Sequence, residues 1–214
     1  MSWWNRLQSK PAAPPPVRAT HTIQLNLAGW NEEPSKDELR CWRGPHGDVM
    51  TLAVLGSFMD FPSPFDAAAW QKWARDLAKS RQGGLIEVRK AGDAIAVIYK
   101  QLKRPAYVFT GMLITLTSEA SQVWTVVSQE YGRTGVREAL ITGELFESGT
   151  YTIKDYQDSF AHDPYDPSYL GVDRSVLRFV SDDEKYDERF PNHPLTRVRQ
   201  ILAALPESVV LRVI

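Results

Sequence analysis

The chain of 214 residues holds one cysteine, four histidines and a formal net charge of only −1. A single Cys41 cannot close an internal disulfide and is too few for a cysteine-based zinc site. It falls in the strand-like run Leu39-Arg40-Cys41-Trp42, where a small buried apolar role is expected. The missing basic excess argues against a nucleic-acid partner, because neutralising phosphates supplies most of such an affinity. No apolar run approaches the roughly 18 residues that a membrane-spanning helix needs. Met1-Ser2-Trp3-Trp4-Asn5-Arg6-Leu7 has no apolar signal-peptide core. The expectation is a cytoplasmic chain with no integral membrane association. Also missing are a phosphate-binding P-loop, a dinucleotide-binding glycine motif, a nucleophile-elbow serine and a paired-histidine zinc motif, so no cofactor and no catalytic residue is implied.

What is abundant is aromatic: 11% of residues, with seven tryptophans. Aromatics favour sheets and large cores. Residues 1–20 read as a Pro-rich flexible tail (Lys10-Pro11-Ala12-Ala13-Pro14-Pro15-Pro16) carrying Trp3 and Trp4 at its tip, a candidate contact. Residues 21–214 read as one α+β domain. Alternation predicts strands at Thr22–Leu27, Leu39–Arg43, Val49–Leu55, Leu85–Lys90, Ala94–Gln101, Tyr107–Thr117 and Gln122–Gln129. Links this short make successive strands antiparallel. The spacing predicts a helix over 64–80, capped by Ser63, with Phe65, Ala69, Trp70, Trp73 and Leu77 facing the core. A second helix opens after Thr134 as its cap, with Val136, Leu140 and Leu145 inward. Short helical pieces are expected at 153–161 and 182–190 within an acidic, loop-rich stretch over 150–193, followed by a terminal helix at 194–205. The whole predicts a largely antiparallel sheet of about seven strands with helices on its faces.

The near-zero charge conceals two opposed halves. Residues 70–104 carry nine Lys and Arg against three Asp and Glu, and residues 143–193 carry twelve Asp and Glu against five Lys and Arg. Either the acidic segment folds over the basic sheet edge and the charges meet, or a basic face around Lys100, Lys103 and Arg104 stays open for an anionic partner. The densest polar group is His162, Asp163, Asp166 and Asp173. Three carboxylates and an imidazole suit a divalent cation, whereas two Asp-Pro steps suit a plain turn. His193, in a Pro-flanked corner before the last helix, is expected to pack or cap.

Several features together resemble the Mog1/PsbP-like α/β/α sandwich group, which includes bacterial DcrB-like proteins. They are an opening strand ending in Gly29-Trp30, a hairpin, a helix, then Gly83-Gly84-Leu85-Ile86-Glu87-Val88, Tyr107-Val108-Phe109-Thr110-Gly111 and Tyr131-Gly132-Arg133-Thr134-Gly135-Val136-Arg137-Glu138. The resemblance spans Ile23 to Ile141 and implies a non-catalytic binding or accessory protein that acts on another protein. Two alternatives stand beside it. One is a metal-assisted hydrolase using the 162–173 loop. The other is an immunity-type protein whose acidic surface neutralises a toxin.

Overall fold

The computed structural model describes residues 21–25, 27–34, 39–56, 61–117, 120–154, 161–169 and 173–213. The tail with Trp3 and Trp4 lies outside them. Seven antiparallel strands form the main sheet: β2 (Asn31–Glu33), β3 (Arg40–Arg43), β4 (Val49–Gly56), β5 (Gly83–Ala91), β6 (Ala94–Lys103), β7 (Ala106–Leu116) and β8 (Ala120–Gln129), in the spatial order β2-β3-β4-β8-β7-β6-β5. β5 to β8 are a meander, and β8 returns to pair with β4 from Val49↔Val127 to Gly56↔Ala120.

Side-chain alternation on these strands feeds two cores. In β6, Ala94, Ala96 and Ile98 point to one face, where α3 (Pro194–Ser208) sets down Leu195, Val198, Leu202 and Leu205. Ile95, Val97 and Tyr99 point to the other, against Trp70, Ala74 and Ala78 of α1 (Ala67–Ser80). Trp42 and Trp124 stack across β3 and β8 at 5.5 Å on the α3 face. α3 comes close because β7 has no side chain at Gly111, where a Cβ would stand 2.4 Å from Val198 Cγ1. The β5 edge is covered as well. Tyr165 Oη accepts the Val88 N–H at 2.7 Å and donates to the Val88 carbonyl at 2.9 Å, so one phenol occupies both groups of an edge residue that would otherwise invite pairing.

The predicted α+β architecture is therefore present, with four differences in detail. First, the opening strand does not join the large sheet. β1 (His21–Leu25) pairs with β11 (Val209–Val213) in a separate two-stranded sheet, and β2 takes the outer place. The terminal helix accordingly runs to Ser208 before a strand that periodicity had not marked. Second, α1 starts later than predicted. Asp66 is its cap, accepting the Ala69 N–H at 2.9 Å, while Ser63 accepts the Phe65 N–H and offers its carbonyl to Trp70 Nε1. Phe65 thus sits ahead of the helix and is 87% exposed. Third, α2 (Val136–Glu147) turns a different face inward. Its cap is Gly135, not Thr134, and it buries Arg137, Glu138 and Ile141 while Val136 and Leu140 are exposed. Fourth, Ala161–His162 forms a short strand β9 paired with β10 (Arg178–Phe179) in place of a helix end, while the short helical piece expected at 182–190 is present as a 3-10 helix over Glu184–Arg189. The expectation over 155–160 lies outside the described residues.

Candidate functional site

The acidic segment does fold onto the basic sheet, and the opposed charges meet. Lys100 on β6 is fully buried and gives its Nζ to Asp182 Oδ2 at 2.7 Å. The same ammonium lies 3.3 Å from the centre of the Phe179 ring. Arg75 forms a two-bond fork onto buried Asp163, and Arg89 reaches Glu184. Arg137 binds the Ser181 and Asp183 carbonyls, Thr196 Oγ1 and Asp187. Arg199 binds Glu87, Asp187 and the Asp182 carbonyl. Planar guanidinium forks suit this work, since each satisfies several buried acceptors at once.

That pairing decides the fate of the residues singled out by sequence. Lys100 is sealed inside and is no part of an open basic face, whereas Lys103 and Arg104 stay exposed at the β6–β7 turn, which holds a cis Arg104–Pro105 bond. Asp163 is held by Arg75 and accepts the N–H groups of Tyr165 and Asp166, so it organises a turn. Asp166 accepts from Ser168, and Asp173 caps the 3-10 turn Arg174–Val176. His162 lies half-buried in β9. Among the described residues, the 162–173 loop does not gather its donors on one point. Among the described residues, the group with the donors for a cation is elsewhere: Glu130, Glu138 and His193, with ligand atoms all within 4.8 Å of one another.

Three elements bring this group together at one end of the sheet. Glu130 is the first residue beyond β8. The chain then turns through Gly132 and Gly135, both at positive φ (78° and 73°), a conformation that favours glycine. This puts Glu138 in the first turn of α2, pointing inward. His193 begins α3: its carbonyl accepts the Arg197 N–H, its Nδ1 accepts the Leu195 N–H at 3.2 Å, and Pro194 takes the first helical position. His193 therefore caps, as its setting suggested.

The three groups are not equivalent. Glu130 accepts the Tyr107 and Gly135 N–H groups, and His193 Nε2 lies 3.6 Å from its Oε1. Burial pushes its carboxyl up, but His193 and the two backbone donors outweigh that and hold it below the usual carboxylate range. Glu138 is 8% exposed, and neither of its carboxylate oxygens has a hydrogen-bond partner in another residue. Burial, reinforced by Asp182, raises its pKa, while Lys100, Glu138's own backbone N–H and His193 pull the other way, so the carboxylate has no donor from another residue. Asp182 Oδ1 also lacks a partner, and His193 Nε2 meets only Glu130 Oε1, at 3.6 Å. Tyr107, half-buried beside these acids, is pushed up to about 12, chiefly by burial. An acceptor-rich pocket short of donors remains.

A groove of about 390 Å³ has two of the three, Glu130 and His193, in its wall together with Arg133, Arg137, Arg189 and Arg197, while Glu138 lies behind that wall. Sequence reading passed over Glu130 and Glu138 because their signal is tertiary. A glutamate in a helix's first turn ordinarily serves the helix dipole at the surface, and only the inward register of α2 makes it a buried acceptor. Compared with known proteins, the chain matches no family model, no curated protein and no solved structure.

Proposed function

We propose that this protein binds a divalent cation through Glu130, Glu138 and His193, and that the bound ion serves hydrolysis of a substrate held in the groove above it. The reading is carried by Glu138, a buried carboxylate that receives no bond from any other residue. Buried carboxylates are otherwise paired or hydrogen-bonded, because desolvation without a partner is expensive. A cation is the partner this arrangement calls for. Two carboxylates and an imidazole suit zinc or manganese, and three protein ligands leave a position for water. A tetrahedral zinc holds ligands at about 2.0–2.2 Å, hence roughly 3.4 Å from one another, so the donors must close in when the ion enters. His193 must also free the nitrogen that faces the site. Its Nδ1 accepts the Leu195 N–H, which keeps the neutral ring's proton on Nε2. Ligation through Nε2 therefore gives up that cap, at about 0.5–2 kcal/mol.

Calorimetric titration of the chelator-treated full chain with Zn²⁺ and Mn²⁺ tests the proposal. One site is expected, lost in Glu138→Gln and weakened in His193→Ala. Release of nitrophenol from nitrophenyl acetate and nitrophenyl phosphate should then depend on the metal. Absence of heat with either ion overturns the reading.

A second reading, binding without catalysis, is favoured by Tyr131 at the groove rim and by Val136 and Leu140 on the outer face of α2, all exposed. Apolar groups gathered beside a cleft suit a protein contact. Metal-independent capture of a partner, lost on Leu140→Glu, would favour it. At the level of fold, the order of hairpin, helix, four-stranded meander and helix supports a Mog1/PsbP-like sandwich as the family reading.

A further inference from the structure

The composition of the groove wall points further, to the class of molecule it receives. Four guanidinium groups line the groove, against the single carboxylate of Glu130. Three of the four are held from behind. Asp187 and the Ser181 and Asp183 carbonyls fix Arg137, a two-bond fork from Glu144 fixes Arg189, and Asp48 fixes Arg197 together with Ser128 Oγ. Arg133 differs. It is exposed, lies between Gly132 and Thr134 on the loop entering α2, and meets no acid among the described residues. The same loop delivers the N-terminus of α2, whose cap Gly135 gives its own N–H to Glu130 and has no side chain to bond the N–H groups that follow. Glu138 in that first turn is the buried, unpartnered carboxylate of the cation site. An anion here meets a free guanidinium, the positive end of a 12-residue helix and, from below, the proposed ion. Beside Gln129 and Asn192, the wall also presents the rings of Tyr131, Phe190 and Pro191.

We infer that the groove takes a small phosphate-bearing molecule, its phosphate between Arg133 and the start of α2 and its remaining part against Tyr131 and Phe190. This rests on the cation-site reading for its reactive end, since the phosphate oxygens complete the open coordination position. Pre-held arginines give the groove its sign, and the unpaired one closes on the ligand. Guanidinium groups recognise phosphate by paired N–H donors, which ammonium groups do not supply.

Titration with inorganic phosphate, with Zn²⁺ present and again with chelator, tests the inference by calorimetry on the full chain. Saturable binding is expected with the metal and weaker binding without it. Arg133→Ala should lower phosphate affinity by about tenfold, as loss of one charge-assisted contact does, and leave Zn²⁺ affinity unchanged. Glu138→Gln should lose Zn²⁺ and the metal-dependent part of phosphate binding. If Zn²⁺ binds but phosphate does not, or binds equally to Arg133→Ala, the phosphate inference falls and the cation reading stands. If phosphate binds through Arg133 while Zn²⁺ does not bind, the cation reading falls, and with it the assignment of this groove to a substrate of that site.

Discussion

Glu138→Gln should make the metal-free protein more stable and the metal-loaded protein less so. In the folded chain the Glu138 carboxyl is buried, with no donor from another residue and Asp182 nearby, and its pKa is raised. An acid whose folded pKa lies above its unfolded value binds its proton more tightly when folded. Stability therefore falls as pH rises from the unfolded value, about 4.3, through the folded one, and the penalty is complete above that. Glutamine keeps the shape and carries no charge. An unsatisfied buried polar group costs about 1–3 kcal/mol, more when charged, and the amide keeps some unmet bonding of its own. The net gain is then on the order of 1–2 kcal/mol. For a chain of this size about 1 kcal/mol moves the melting temperature by roughly 2–4 °C, so a rise of about 2–8 °C is expected at pH 8 in chelator.

The same substitution removes a cation ligand. Saturating Zn²⁺ should raise the wild-type melting temperature and leave Glu138→Gln unmoved, reversing the order of the two proteins, because a ligand stabilises only the state that binds it. Scanning calorimetry at pH 5 and pH 8, with and without metal, supplies the four values needed. At pH 5, where the wild-type carboxyl is more fully protonated, the metal-free difference should shrink. If Glu138→Gln melts lower than wild type at pH 8 in chelator, Glu138 has a structural partner and the reasoning fails.

Other consequences can be checked by melting curves. Trp70→Ala removes a fully buried ring from the α1 face and should cost about 3–5 kcal/mol, while Trp73→Ala, half-buried, should cost less. Gly84→Ala places a Cβ 2.1 Å from the Val176 carbonyl oxygen, so it should push the acidic segment off β5 and show as faster proteolysis between residues 150 and 193 than in Gly56→Ala, where no atom is within 4 Å of the added carbon. Glu130→Gln should flatten acid unfolding: the lowered pKa of Glu130 gives stability that is present above the unfolded value and lost as pH falls through the folded one. Asp182→Asn alone strands the buried Lys100 ammonium and should cost about 3–5 kcal/mol, while Lys100→Met with Asp182→Leu should recover most of it.

How much of this was legible beforehand follows from the range over which each signal acts. The β5–β8 meander was readable because alternation and turn chemistry are local, and the observed strands end within two residues of the predicted ones. α1 was readable as a helix, but its cap was misplaced by three residues. Ser63-Pro64 and Asp66 both offer start signals, and only the seating of Trp70 against the sheet, with its Nε1 on the Ser63 carbonyl, selects Asp66. β1 looked like a sheet strand because its pattern is that of any half-buried strand; its partner, β11, lies about 190 residues away in sequence. The charge asymmetry between 70–104 and 143–193 was visible as composition, and so was the prospect that the two would meet. Which residues meet was not, because the Lys100–Asp182 and Arg75–Asp163 pairs span 82 and 88 residues.

The misreading of α2 is the instructive one. Apolar spacing selected Val136 and Leu140 for the core, and the helix instead buries Arg137 and Glu138. Arg137 explains half of that choice: with two carbonyls, a hydroxyl and Asp187 around it, it staples the acidic segment and the start of α3 to α2. Glu138 comes along in the adjacent position, but nothing in the staple bonds to it. Every other buried charge in this region, Lys100, Arg137, Arg199 and Glu130, is met by partners, as a purely structural charge must be. A helix that only needed to close the fold would be better served by an aliphatic residue at 138, since uncompensated burial of a carboxylate works against folding. The unmet carboxylate next to a fully met guanidinium is therefore the position where folding requirements and the chain's composition part ways, and it is where a cation would restore the balance.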